Sequence, residues 1–293
     1  MAAKDITPLQ AFSGALSAVV AQVAPSVVAV HSHRSRASGF VWRPGLIITA
    51  DEALAEESEI SVVLPGGETV PASLAGRDPT TDIALLRVER AQVKPLARAS
   101  DPASAGALAI VVGAHDGDPT AGLGVVSLAG GAWRSMRGGD IDARIELALS
   151  LRRTSEGGLA LDAAGGTLGM AVFGPRRRVL VIPSATIDRV AAKLDSHGRI
   201  PRGYLGLGLQ PVRLENAGIG AMVMSVDGTG PGAAAGIRQG DVIVSYDGAP
   251  IKNVQALVRS LGPDSVGSVV RLGLQRAGAP ADASLTVGER PQA

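Results

Sequence analysis

The sequence predicts a mainly β protein: two successive sets of short strands, then a separate and smaller α+β domain. Three observations point there. Gly 38 and Pro 18 in 293 residues exceed the usual combined share of about 12%, and both supply the geometry of tight turns. Short runs rich in Val, Ile and Leu alternate with turn residues, the mark of a barrel or sandwich. The stretch Asp195 to Arg202 (DSHGRIPR) is polar and punctuated, so 195–202 reads as a linker, with a domain of ordinary size behind it.

In chain order, residues 1–25 read as an N-terminal amphipathic helix. Ala11 to Val30 carries no charge, but Ser13, Gly14, Ser17, Gln22 and Pro25 weaken any membrane-spanning reading. Leu9, Phe12, Leu16, Val19 or Val20, and Val23 recur at helical spacing, a stripe suited to the protein body or a neighbouring subunit. Met1 to Gln10 has no positive leader, so the expected location is cytoplasmic. The alternative is periplasmic or exported, with the apolar segment as a signal.

The first strand set, within 26–100, comprises Ser26–His31, Gly39–Trp42, Gly45–Thr49, Ile60–Leu64, Thr69–Leu74 and Asp82–Val88. The second, within 104–194, comprises Leu108–Val112, Gly122–Leu128, Ala143–Leu149, Leu159–Asp162, Thr167–Phe173 and Val179–Ile182. A helix from Ser184 through Ile187, Val190, Ala191 and Leu194 closes it. The last domain spans 203–288.

Composition excludes several functions. No cysteine is present, which removes disulfides, thiolate zinc sites and a cysteine nucleophile. The charge balance of 28 basic to 27 acidic residues offers no surplus for nucleic acid. The few aromatics (Trp 2, Tyr 2, Phe 3) do not make a base-stacking platform. Four histidines (His31, His33, His115, His197) leave histidine chemistry open but scarce.

The C-terminal domain carries the first specific resemblance. Gly236 to Ile251 reads GIRQGDVIVSYDGAPI, similar to the centre of a PDZ domain. Tyr204-Leu205-Gly206-Leu207 resembles its carboxylate-binding loop, and Asn253 to Leu261 the helix beside the groove. The resemblance implies that backbone N–H groups near Leu205 and Gly206 hold a terminal carboxylate while the peptide adds as a strand. Leu207, Val254, Leu257, Val258 and Leu261 would line the side-chain pocket, or serve as domain core.

Two strand sets before a PDZ-like domain resemble the HtrA/DegP-type serine proteases, with a trypsin-like double β-barrel, from about Ser26 to Val287. Gly45-Leu46-Ile47-Ile48-Thr49-Ala50 resembles the strand leading to the family's catalytic histidine. Gly76-Arg77-Asp78-Pro79-Thr80-Thr81-Asp82 resembles the segment with the catalytic aspartate, and Glu156-Gly157-Gly158-Leu159 the nucleophile loop. Carried over position by position, the aspartate falls on Asp82, the histidine on Glu52 and the serine on Glu156. The family's first loop glycine is Thr154, which puts its oxyanion hole in question.

A carboxylate with an ordinary pKa of about 4.3 is a poor base for a hydroxyl, and Glu156 brings no hydroxyl. The resemblance therefore implies a degenerate triad at Glu52, Asp82 and Glu156. The expected protein is an inactive protease homologue that binds peptides or protein C-termini as a scaffold, regulator or holdase. The alternative is an active serine endopeptidase with a rearranged site, such as Ser155 with a relocated histidine. Three close carboxylates cannot all stay ionised: one is protonated, or Arg152, Arg153 or a bound Ca²⁺ or Mg²⁺ offsets them. The resemblance implies no cofactor. Its implied partners are an active relative and further copies of the chain, as a trimer.

Overall fold

Alternating apolar residues close two six-stranded barrels in the first part of the chain. The computed structural model describes residues 7–55, 59–89, 96–214 and 218–291, the side chain of residue 264 excepted. The proposed leader residues 1–6 lie outside this set. The chain forms two compact units, 1–199 and 200–293.

The first unit begins with helix α1 (Pro8–Val23). Thr7 and Gln10 form a reciprocal capping box at its start, satisfying orphan N–H groups there. Only Val23 of this helix is buried, while Leu9 is 76% and Phe12 41% exposed. Its apolar stripe is thus uncovered at Leu9 and Phe12 and half-buried at Leu16, Val19 and Val20. No helix among the described residues is long and apolar enough to cross a membrane.

The first barrel consists of β1 (Val27–Ser32), β2 (Ser35–Arg43), β3 (Leu46–Thr49), β4 (Ile60–Val63), β5 (Thr69–Asp78) and β6 (Ile83–Arg87), closed in the order β1-β2-β3-β6-β5-β4. Val28, Val30, Val41, Ile47, Val62 and Leu86 fill its interior, each contributing about 1.5–3 kcal/mol on burial. Strands β2 and β5 outrun the Gly39–Trp42 and Thr69–Leu74 expectations. Their extra residues are polar or small and pair across hairpins, so hydropathy alone does not mark them.

The second barrel consists of β7 (Leu108–His115), β8 (Asp118–Gly130), β11 (Arg144–Ala148), β12 (Leu159–Leu161), β13 (Thr167–Phe173) and β14 (Val179–Pro183). Its order is β11-β14-β13-β12-β7-β8, and a small ribbon of β9 (Trp133–Arg134) and β10 (Asp140–Ile141) branches from it. Helix α2 (Ser184–His197) follows, burying Ile187, Val190, Ala191 and Leu194 and ending on Gly198.

The second unit is an antiparallel sheet ordered β16-β17-β18-β20-β21. These strands are β16 (Leu207–Arg213), β17 (Ile219–Val226), β18 (Val242–Tyr246), β20 (Val269–Arg276) and β21 (Ala279–Thr286), with β19 (Ala249–Pro250) beside β18. Strands β15 (Gly203–Tyr204) and β22 (Gly288–Glu289) pair separately. Helices α3 (Pro231–Ala234) and α4 (Val254–Ser260) complete the unit, and α4 packs beside the edge strand β16. Asn253 caps α4 by accepting the Ala256 N–H at 2.7 Å.

Candidate functional site

The short helical turn Asp51–Ala53 follows β3 and carries Glu52. Its neighbour Asp51 is buried, and Arg77 Nε donates to Asp51 Oδ1 at 2.5 Å. Opposite, the Asp78 carboxylate accepts from Thr80 and Thr81, which turns the chain just before β6. Asp82 sits at that corner with φ 58°, a left-handed conformation that Asp tolerates better than most residues. This places Asp82 Oδ1 2.8 Å from the Glu52 backbone N–H, which it accepts. The retained aspartate thus holds the main chain of position 52.

The Glu52 carboxylate is paired elsewhere, 3.0 Å from Arg137 Nη2. Burial is the main cause that pushes the Asp82 carboxyl up to about 7; the Glu52 N–H opposes it, and the charges of Glu52, Glu156 and Asp51 add to it. One carboxyl of the cluster is therefore half protonated near neutral pH.

Across the cleft, residues Arg153–Ser155 form a single 3₁₀ turn before Glu156. The Ser155 N–H donates to the Arg152 carbonyl at 3.0 Å and the Glu156 N–H to the Arg153 carbonyl at 3.2 Å. Gly157 N–H donates to Ala171 and Gly158 N–H to Ser155. These four N–H groups are satisfied within the protein and do not converge on an open anion site. The Glu156 carboxyl reaches the Phe173 backbone N–H; burial raises its pKa most, the Phe173 bond opposes that, Glu52 adds and Arg153 opposes.

Ser38 ties this loop to the first barrel. It is fully buried in β2. Its hydroxyl donates to the Thr154 carbonyl at 2.5 Å and accepts from Ala114 N–H at 2.8 Å, and its own N–H donates to the Glu156 carbonyl at 2.8 Å. Gly157 (φ +82°) lies so close that a Cβ there would stand 2.3 Å from the Ser38 carbonyl. Sequence reasoning missed Ser38 and Arg137. A lone hydroxyl inside the apolar run Gly39–Trp42 extended backward was the available signal for Ser38; Arg137 had none.

The relocated Ser155–histidine pair is not formed. Ser155 is buried and its Oγ lies 3.0 Å from Thr120 Oγ1, facing a cavity of about 290 Å³ that Thr120 and Arg152 also line. His31 pairs with Asp116 at 3.2 Å, and its pKa is lowered chiefly by burial and by Arg36. His197 contacts Ser196 at 2.6 Å, while His33 and His115 are exposed. The cation site considered for Glu52, Asp82 and Glu156 is not assembled: Glu52 is drawn off to Arg137. No group of three or more His, Cys, Asp or Glu among the described residues is arranged for a metal ion.

In the second unit, Tyr204 Oη donates to Asp227 Oδ2 at 2.9 Å, and Thr229 donates to Asp227 Oδ1 from N and Oγ1. The Thr229 bonds, led by its backbone N–H, lower the Asp227 pKa, and the Asp227 bond raises that of Tyr204. The Leu205 carbonyl accepts from Gly232 N–H and the Gly206 carbonyl from Asp227 N–H, both at 2.8 Å. A trans peptide points its N–H opposite to its C=O, so the Gly206 and Leu207 N–H groups face the other way, along the free side of β16. Gly206 has φ +73°, and a Cβ there would stand 3.0 Å from Gly230 Cα.

One expected pocket side chain, Leu257, is interior, as is Leu205 of the carboxylate loop. Leu205 is 3% and Leu257 1% exposed, and both belong to the unit's core. Leu205 therefore offers only backbone, and Leu257 holds α4 to the sheet. Leu207, Val254 and Leu261 are partly buried against that core, whereas Val258 is 54% exposed.

Comparison with known proteins agrees with this geometry. Residues 37–170 match the family described as "Trypsin-like peptidase domain" and residues 203–287 the family described as "PDZ domain". A relative from Bartonella henselae, "Probable periplasmic serine endoprotease DegP-like", is 30% identical over 282 residues, covering 89% of this chain and 55% of the relative. A relative of the same description from Chlamydia trachomatis is 30% identical over 272 residues, 87% of this chain and 54% of the relative. The chain thus spans about half the length of the curated relatives it matches. Among solved structures, "HtrA-type protease AlgW with decapeptide" superposes with a TM-score of 0.71 at 22% identity, covering 96% of this chain and 99% of that one. The serine endoprotease from Yersinia pestis gives 0.72 at 23% identity, covering 94% and 98%. The mainly β expectation of a trypsin-like double barrel followed by a PDZ domain is met.

Proposed function

Because the chain belongs to the HtrA/DegP-type family, with a trypsin-like peptidase domain followed by a PDZ domain, we propose that it binds peptides or protein C-termini without cutting them. The observation that carries this reading is the pair of carboxylates at positions 52 and 156. Acyl transfer needs a hydroxyl to attack and an imidazole to take its proton; neither position supplies one. The Glu156 N–H, at the nucleophile position, is bonded to the Arg153 carbonyl, which leaves a tetrahedral oxyanion short of a backbone donor. Ligand capture falls to the Gly206 and Leu207 N–H groups on the free edge of β16.

The relatives' names include the word endoprotease, which favours the rival reading of an active enzyme with a rearranged site. Fluorescence anisotropy with one labelled peptide, as free acid and as C-terminal amide, distinguishes the two when the peptide is weighed afterwards. The proposed reading expects the acid to bind about tenfold or more tighter, a charge-assisted contact of about 1.5–3 kcal/mol, and to be recovered intact. Cleavage by purified protein that vanishes in Glu156→Ala establishes the rival.

The same relatives are named periplasmic. We place this chain in the periplasm on that basis; the cytoplasmic expectation finds no support among them. The uncovered Leu9 and Phe12 of α1 favour self-association, which light scattering of the Leu9→Ser, Phe12→Ser variant tests.

A further inference from the structure

We propose that the rim of the cleft in the first unit is a docking surface for an acidic, extended polypeptide segment, separate from the C-terminus pocket of the second unit. Two loops bring exposed arginines to one place. Arg152 and Arg153 lie on the turn before Glu156; Arg176 and Arg177 lie at the tip of the β13–β14 hairpin, and all four are exposed. The two loops are joined where the Gly157 N–H donates to the Ala171 carbonyl at 2.8 Å. Arg153 acts electrostatically on Glu156, whose carboxyl reaches the Phe173 N–H, and the Arg177 guanidinium stands 5.8 Å from the Phe173 ring centroid. Their neighbour Arg178 is committed to Glu146 at 3.3 Å, but these four have no salt bridge among the described residues.

The hairpin tip is an unusual place for two arginines. Arg176 and Arg177 both have positive φ, 58° and 57°, as the central pair of a type I′ turn does. Such a turn prefers Asn-Gly, because long side chains are strained there. The sequence thus keeps two charges where local stability disfavours them, which is where strain tends to mark function.

An extended peptide fits this surface better than a polyanion. The acidic groups Asp82 and Glu156 lie in the cleft beside the arginines and disfavour a phosphate backbone laid across them. A strand sends alternate side chains to opposite faces. Acidic side chains of a bound segment can therefore meet the arginines at the rim while its neutral backbone crosses the floor.

The proposal rests on the reading that the chain binds peptides without cutting them. The test is anisotropy of the full chain with a labelled Glu-rich peptide of strand-forming sequence and amidated C-terminus, which removes the carboxylate that the second unit would capture. Mass spectrometry of the recovered peptide tests the non-cutting reading separately. We expect binding that weakens with ionic strength and falls about tenfold in Arg152→Glu with Arg153→Glu, and again in Arg176→Glu with Arg177→Glu. The remote control Arg34→Glu should leave it unchanged. Arg176→Asn with Arg177→Gly keeps the turn and removes both charges; it should raise the melting temperature and weaken binding together. Equal binding of a Gln-for-Glu peptide, indifference to both arginine pairs, or tighter binding of a DNA duplex or of anionic vesicles through the same arginines overturns the proposal.

Discussion

The two units carry function by different means. In the first, chemistry depends on side chains at three positions of a rigid frame. The frame persists: Asp82 still reaches position 52, and Ser38 still joins the nucleophile loop to the first barrel. On the proposed reading, the carboxylates at positions 52 and 156 supply neither the nucleophile nor the base. In the second unit, the proposed ligand capture depends on main-chain N–H groups, in a loop held by the Asp227 and Gly232 N–H bonds to the Gly206 and Leu205 carbonyls. Such a site survives most side-chain changes and is vulnerable mainly where a glycine is required. On the proposed reading, two side chains decide catalysis while the binding scaffold rests on the main chain.

The largest expected effect concerns the first unit. Loss of serine or histidine alone lowers turnover by about a millionfold in a comparable triad. The repaired chain, Glu52→His with Glu156→Ser, should regain little. Its turnover on a fluorogenic peptide is expected to stay about a hundredfold or more below that of an intact relative, because the N–H of position 156 remains tied to the Arg153 carbonyl and one oxyanion donor is worth about that much. Full recovery in the repaired chain shows that side chains alone were missing.

The counterpart in the second unit is Gly206→Ala. A Cβ there meets Gly230 on a backbone with positive φ, so the loop must shift. Affinity for a free C-terminus should fall about tenfold, and affinity for the amide should barely change. Equal loss for both forms places the carboxylate elsewhere.

The groove helix gives a sharper contrast in stability. Leu257→Ala should cost about 2–5 kcal/mol in chemical denaturation, the range for a buried leucine. Val258→Ala, one position away and exposed, should stay within about 0.5 kcal/mol.

The smallest effect is a pH dependence. Folding raises the Asp82 pKa from 3.8 to about 7, so the folded chain keeps a proton that the unfolded chain has released. This contribution is present below the unfolded value and is lost as pH rises through about 7; the raised Glu156 carboxyl acts in the same direction. Asp82→Asn keeps the acceptor and cannot ionise. Its melting temperature relative to the parent should rise as pH increases across that window. A constant difference rejects the assignment.

Hydrophobic patterning made the barrels legible, because a strand with one face inward must alternate or run apolar. The motif around Asp82 was legible through its resemblance to the family's segment, where the structure shows Asp78, Thr80 and Thr81 building a local turn. Ser38 was not, since its partners Ala114 and Thr154 lie far away in sequence. Helix α4 shows another limit. Val254, Leu257, Val258 and Leu261 share one helical stripe, but a stripe does not say which member turns inward; the structure turns Leu257 in and Val258 out. The exposed charges Glu52 and Arg137 could pair only once the loops were placed.

The most direct test of binding without cleavage is a time course of casein incubated with the purified chain, read by mass spectrometry alongside Glu156→Ala. Intact casein in both samples is the predicted result. Fragments that accumulate with the parent chain and are absent with Glu156→Ala would contradict it.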